Sequence, residues 1–282
     1  MPRPIVIVGA GRMGQGVATI LAARGDPVRL ATRNLKRRGL PAPFFAVDDA
    51  EGYRDARLIL IATPDDVIWQ TASRLGDLGV VGPKTAVLHL SGAFDRAILK
   101  PLALSGAALG SFHPLQSLAV PSRAPELLPG SYVAIEGDAR ALRAGRDLAR
   151  HLQMIPVRIP TGAKPAHHAA ATMVAGYVTA LYYAATQVAI GAGIDAHAAM
   201  KMYLPLLHGT VATIELLPPT HALTGAIRRG DAKTVAANLK ALNRADRELF
   251  RVLGLRALEL ARKAGLDPGR AAAVERVLAP SA

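Results

Sequence analysis

The sequence contains no cysteine, and aromatic residues make up only 4% of it, with a single tryptophan. The absence of cysteine excludes disulfides, thiolate nucleophiles and thiolate metal ligands. It suits a reducing compartment, so a cytoplasmic protein is expected. The scarcity of aromatics leaves Ala, Leu and Val to build the core, a composition that favours closely packed helices. Hydrophobic residues are 51% of the 282, enough for a sizeable core, and that length is comfortable for two domains. No apolar run of roughly 18 residues is free of polar groups, so no membrane span is expected. The opening MPRP runs straight into an apolar strand, so no signal peptide is expected. His89, His151, His197, His208 and His221 show no ligand spacing, and His167-His168 alone is too little, so no metal site is expected.

Acids are also scarce. Lys and Arg number 34 against 21 Asp and Glu, a net charge of +13. Such an excess raises the possibility of nucleic-acid binding. The distribution argues against it. The densest cluster, Arg33 to Arg38, is short, and the other basic residues are scattered at helical intervals. Solvated surface and attraction for small anions account for the excess.

Two halves differ in pattern. Before Pro160, short apolar runs alternate with helical stretches: 5–8, 28–31, 58–62, 86–90, 107–112, 131–135 and 154–159. Continuous apolar strands between helices indicate a parallel sheet covered on both faces. From Lys164 onwards strand signals vanish, and Ala-rich helices are expected over about 165–192, 195–216, 232–247 and 247–265. Breaks fall at Gly193, Pro218-Pro219 and Gly230-Asp231, with Asp195 and Asp231 as N-caps. The expected architecture is α/β: a dinucleotide-binding domain of parallel sheet at 1–160, followed by an all-α domain at 161–282 for substrate and dimerisation.

The first strand runs into GAGRMG. Gly9 permits a tight turn, Gly11 lets backbone approach a pyrophosphate, and Gly14 lets helix and strand pack closely. Ala10, Arg12 and Met13 complete the loop, and the helix start offers free N–H groups to phosphate. The second strand ends in Thr32-Arg33-Asn34, with Lys36, Arg37 and Arg38 behind. An NAD-selective site would place an acid there. A guanidinium suits a 2′-phosphate instead, so NADP is the expected cofactor. Ala62-Thr63-Pro64 and Ser91-Gly92 end the next strands with small residues suited to the rim of the crevice, and Asp65 is placed to cap the following helix.

Three stretches carry candidate chemistry. In LGSFHPLQSL, His113 follows a strand and precedes Pro114, which puts an imidazole at the sheet's carboxyl edge. It is the expected proton donor, with Ser91 bonding one ring nitrogen. In the helix after 164, Lys164, His168, Thr172, Gly176, Thr179, Tyr183 and Gln187 step by three or four along one polar stripe. That stripe reads either as solvent-facing or as a Lys164–His168 end that binds an anionic substrate. In ALTGAIRRGDAKTV, Thr224-Gly225 and Arg228 or Arg229 read as a loop, more simply a turn with Asp231 as cap.

Taken in order, GAGRMG, TRN, ATPDD, LSGAF, FHPLQSL, KPAHHAAA and ALTGAIRRGD resemble Rossmann-like proteins whose C-terminal helical domain is known chiefly as a domain of unknown function. That family is similar to pyrroline-5-carboxylate reductase and ketopantoate reductase, which are NADP-using dehydrogenases whose helical domain often dimerises. The His-Pro element is also similar to that of prephenate and arogenate dehydrogenases, where the His contacts the reacting hydroxyl and a Ser assists; His113 and Ser91 match. Lys164 matches the lysine that opens the second domain's first helix in ketopantoate-reductase-like enzymes. The chain departs from the family at Ala175-Gly176-Tyr177, where Ser-Asn often precedes the Tyr. The resemblance implies an NADP-dependent oxidoreductase of a small anionic carbonyl or imine compound, working as a homodimer. The alternatives are a ketopantoate-type 2-oxo acid reductase and a non-catalytic NADP-binding sensor or scaffold.

Overall fold

The computed structural model describes residues 3–279, and the chain divides into two compact units, 1–175 and 176–282. In the first, β1 (Ile5–Val8), β2 (Val28–Thr32), β3 (Phe44–Ala46), β4 (Leu58–Ile61), β5 (Ala86–His89), β6 (Ala108–Pro114), β7 (Tyr132–Gly137) and β8 (Ile155–Arg158) form one sheet. Its order is β3-β2-β1-β4-β5-β6-β7-β8, parallel except for the antiparallel β6–β7 pair. The helices are α1 (Arg12–Ala23), α2 (Ile68–Asp77), α3 (Ala124–Leu127), α4 (Ala139–His151) and α5 (Lys164–Val174).

Alternation along each strand splits the core into two faces. Ile5, Ile7, Leu60, Leu88 and Phe112 pack with α1 and α4, whereas Val6, Val8, Ile59, Ile61 and Val87 pack with α2 and the 3₁₀ segment Arg96–Ser105. Burial on both faces explains why the central strands read as unbroken apolar runs. Each fully buried aliphatic side chain contributes about 1.5–3 kcal/mol. The order reverses at β1, which pairs with β2 on one side and β4 on the other. Crevices for ligands form at the carboxyl edge of such a reversal.

The second unit is helical: α6 (Gly176–Gly191), α7 (Ala196–Met202), α8 (Leu204–Leu216), α9 (Pro219–Ala222), α10 (Gly225–Arg229), α11 (Ala232–Ala241), α12 (Arg244–Lys263) and α13 (Pro268–Leu278). Val235, Leu239, Leu258, Val274 and Leu278 form its core. Asp195 and Asp231 cap α7 and α11 as expected, accepting from the Ala198 and Thr234 amides.

Several expectations need correction. The division falls after Ala175 rather than at 160, because the side chain of Lys164 is anchored in the sheet unit and carries α5 with it. The helix expected over 165–192 is observed as α5 and α6, separated by the single residue Ala175. Asp65 caps nothing; it begins a 3₁₀ turn, and α2 starts without a side-chain cap. Gly225 and Arg228 lie in a short helix rather than a loop, with Thr224 extended at its N-cap position, and Arg228 donates to the Ala264 carbonyl. The segment Lys164–Gly191 is long and apolar enough, by length and composition alone, to cross a bilayer, although its first turn holds the anchored Lys164.

Candidate functional site

Two adjoining regions build the site, both at the carboxyl edge of the sheet. The first is the glycine loop. Gly9 has φ +108, and a Cβ there would lie 2.8 Å from the Ala62 carbonyl oxygen; one on Gly14 would lie 2.3 Å from the Gly9 oxygen. Close packing of the loop on β4 and of α1 on the loop therefore demands glycine at both places. Beside the loop opens a cleft of about 500 Å³. It is lined by Gly9, Ala10, Gly11, Thr32, Arg33, Asn34, Arg37, Ala62, Thr63 and Pro64, all expected to line it, together with Gln70, Thr71 and Arg74 of α2, which were not.

The basic residues after β2 do different work. Arg37 donates to the Ala10 carbonyl at 2.7 Å and clamps the loop. Arg33 is exposed, lines the cleft and forms no ion pair among the described residues. Arg74 crosses the cleft wall to Asp48, 2.7 Å away. Helical spacing puts Gln70, Thr71 and Arg74 on one face of α2, a signal that only the placement of the strands could tie to this cleft. Arg12, Met13, Gly14, Ser91 and Gly92 do not line it.

The second region gathers His113 from β6, Ser91 and Gly92 after β5, and Lys164, His167 and His168 of α5. The His113 ring lies 5.8 Å from those of both His167 and His168, edge to face. Gly92 makes this possible: a Cβ there would come within 2.3 Å of His168 Nδ1 and 2.8 Å of His113 Nε2. The expected Ser91–His113 bond is not formed. Ser91 Oγ accepts from the Ala93 and Phe94 amides, as serine does in a tight turn, and His113 Nδ1 is buried without a partner among the described residues. Ser91 acts through its backbone instead, accepting from Lys164 Nζ at 2.8 Å. Lys164 itself is 0% exposed, so it lies behind the imidazoles rather than on an open face where an anion could touch it.

Burial governs the charge states. It pulls the Lys164 ammonium down to about 8, while Glu136, Asp65 and Asp95 restrain the fall. Burial first and the Lys164 charge second push His113 down to about 3 and His89 to about 4, and lower His167. At neutral pH His113, His89 and His167 are therefore neutral and Lys164 is the cation among them. Among the described residues, no group of three or more His, Cys, Asp or Glu is placed to hold a metal ion.

The lowered imidazoles have a consequence for stability. The folded chain refuses protons that the unfolded chain accepts once pH falls through 6.5, so stability is full above that value and declines toward about 4. The urea midpoint should be lower at pH 5 than at pH 7.5, and His89→Gln should reduce the difference. An unchanged difference in that variant would show that His89 charges freely in the folded chain.

Residues 3–114 match the model of a Rossmann-like domain, and residues 131–257 match that of a domain of unknown function (DUF2520). No curated protein matches the chain. Among solved structures, protein TM1727 from Thermotoga maritima is 22% identical, with a TM-score of 0.72 over 92% of this chain and 98% of that one. The Plasmodium falciparum pyrroline carboxylate reductase with NADP bound is 11% identical, with a TM-score of 0.61 over 96% and 98%. The Aspergillus terreus reductive aminase in complex with NADPH and ethyl-5-oxohexanoate is 16% identical, with a TM-score of 0.61 over 99% and 93%. These likenesses extend over nearly the whole of each chain and establish a shared fold. The chain is thus similar to a Rossmann-like domain over 3–114 and to DUF2520 over 131–257, a match that begins at β7 of the sheet and runs on into the helical unit.

Proposed function

We propose that the protein is an NADP-dependent oxidoreductase acting on a small carboxylated carbonyl or imine compound. One observation carries this reading: a glycine-turn cleft and a buried cation that acts on the neutral imidazoles of His113 and His167 occupy neighbouring strand ends of one sheet. The fold shared with NADP-bound and NADPH-bound reductases supports it.

The cradle fits the cofactor. The Gly9 turn and the start of α1 present backbone N–H groups to a pyrophosphate. Arg33, which lines the cleft and forms no ion pair among the described residues, takes the 2′-phosphate, while Arg37 stays on the loop. When bound, the nicotinamide supplies or accepts a hydride. His113 contacts the oxygen or nitrogen of the reacting group. Being neutral, it polarises that atom by donating a hydrogen bond, as an imidazole with a depressed pKa can. Lys164, buried and bonded to the Ser91 carbonyl, lends a positive potential that draws an anionic substrate without direct contact. His168 is left to hold the carboxylate.

Arg33→Asp should weaken NADPH binding roughly 10- to 100-fold and leave NADH binding nearly unchanged; equal wild-type affinities for the two cofactors would contradict the assignment. NADPH oxidation should appear with one member of a panel of 2-oxo acids and cyclic imines. His113→Ala should slow that turnover roughly 10²–10⁴-fold while sparing NADPH affinity. Tight NADPH binding with no turnover across the panel would favour a sensor or scaffold, a reading that Gly176 in place of the family's asparagine supports.

We also propose a cytoplasmic homodimer formed by the helical unit. Its α6 and α8 expose Tyr183 at 65% and Leu216 at 83%, along with Tyr177, Leu206, Val211 and Ile214. A monomer seldom leaves so much apolar side chain in water. Light scattering should give about twice 29.5 kDa; a monomer mass at micromolar concentration would count against it.

A further inference from the structure

The sheet unit buries two formally charged side chains, Lys164 at 0% and Glu136 at 3% exposure. A buried charge is costly unless compensated. Lys164 Nζ donates to the Ser91 carbonyl, which carries no net charge, and no carboxylate lies within ion-pair distance of it among the described residues. Among the described residues, Glu136 Oε2 accepts from the Arg96 amide alone, at 2.8 Å.

The sheet register places what lies alongside. His89 on β5 is opposite Ser111 on β6, and Ser111 is opposite Glu136 on β7. The three side chains form one row on one face of the sheet, and all are buried. His89 Nε2 sits 3.1 Å from the Asp95 carbonyl, so it must carry the proton, which leaves Nδ1 as a bare acceptor. That Nδ1 and Ser111 Oγ are both unpartnered among the described residues. A row of polar groups thus starts at the buried acid and ends on β5, the strand that leads into the Ser91 turn on which Lys164 is fastened.

We infer that Glu136 is the counter-charge of Lys164, a positioning residue that acts across the Ser111–His89 row to keep the ammonium protonated in the site. The other charged groups that Lys164 feels do not serve as well. Asp65 is exposed, and Asp95 is only half-buried, with one oxygen on the Ala97 amide. His89, His113, His167 and His168 carry no negative charge, and Arg96 opposes the ammonium. The inference deepens the role given to Lys164 above. Its test reads Lys164 directly, so it stands or falls without any turnover assay.

The test is a lysine side-chain NMR titration of the full chain, with the Lys164 signal assigned by its loss in Lys164→Met. In Glu136→Gln the Lys164 midpoint should fall by about one pH unit or more, so that at the wild-type midpoint the fraction protonated drops to a tenth or less. Glu136→Asp, which keeps the charge, should restore most of it. The reciprocal measurement covers a Glu136 variant that does not fold: in Lys164→Met the Glu136 carboxyl midpoint should rise. A Lys164 midpoint unmoved in Glu136→Gln, or a Glu136 midpoint unmoved in Lys164→Met, would overturn the pairing.

Discussion

The hydrogen bond from Lys164 Nζ to the Ser91 carbonyl joins the start of α5 to the edge of the sheet. Much of the site follows from it. It brings His168 over Gly92 and both His167 and His168 against His113, and it sets a positive charge that acts on His113 and His167. That charge, added to burial, holds His113 neutral. An ammonium cut off from solvent is stable only if its surroundings supply what water did, and this gives the buried carboxylate of Glu136 a reason to exist.

The glycine-loop half of the edge rests on a different constraint, the closeness of backbone to backbone. Gly9 and Gly14 allow the loop, β4 and α1 to approach within distances that a methyl group would forbid. Arg37 then fixes the loop by its Ala10 carbonyl, leaving Arg33 in the cleft without an ion pair among the described residues. One half is thus made rigid by the absence of side chains and the other by a buried charge. Asp65, on the turn after β4, is among the carboxylates that restrain Lys164 and so links the two halves electrostatically.

The sequence shows the sheet well, because strands buried on both faces leave uninterrupted apolar runs. It hides Phe44–Ala46, three residues long and preceded by prolines at 41 and 43, and α13, whose opening Pro268-Gly269 reads as a loop. Lys164, Ser91, His113 and His168 are all legible as candidates, but their mutual roles are not. Sequence spacing identifies a serine hydroxyl, yet it is the serine's carbonyl that meets the lysine. Helical spacing puts Lys164 on a stripe but does not say which side of the stripe is buried. Glu136 escapes notice because an acid at the end of SYVAIEG looks like the polar end of a strand; only the antiparallel register with β6 shows that it faces inward.

A crystal structure of the protein with NADPH tests the account most directly. The account places the 2′-phosphate on Arg33 and the nicotinamide ring beside His113, with Lys164 still bonded to the Ser91 carbonyl behind it. A nicotinamide directed away from the His113, His168 and Gly92 cluster would contradict it.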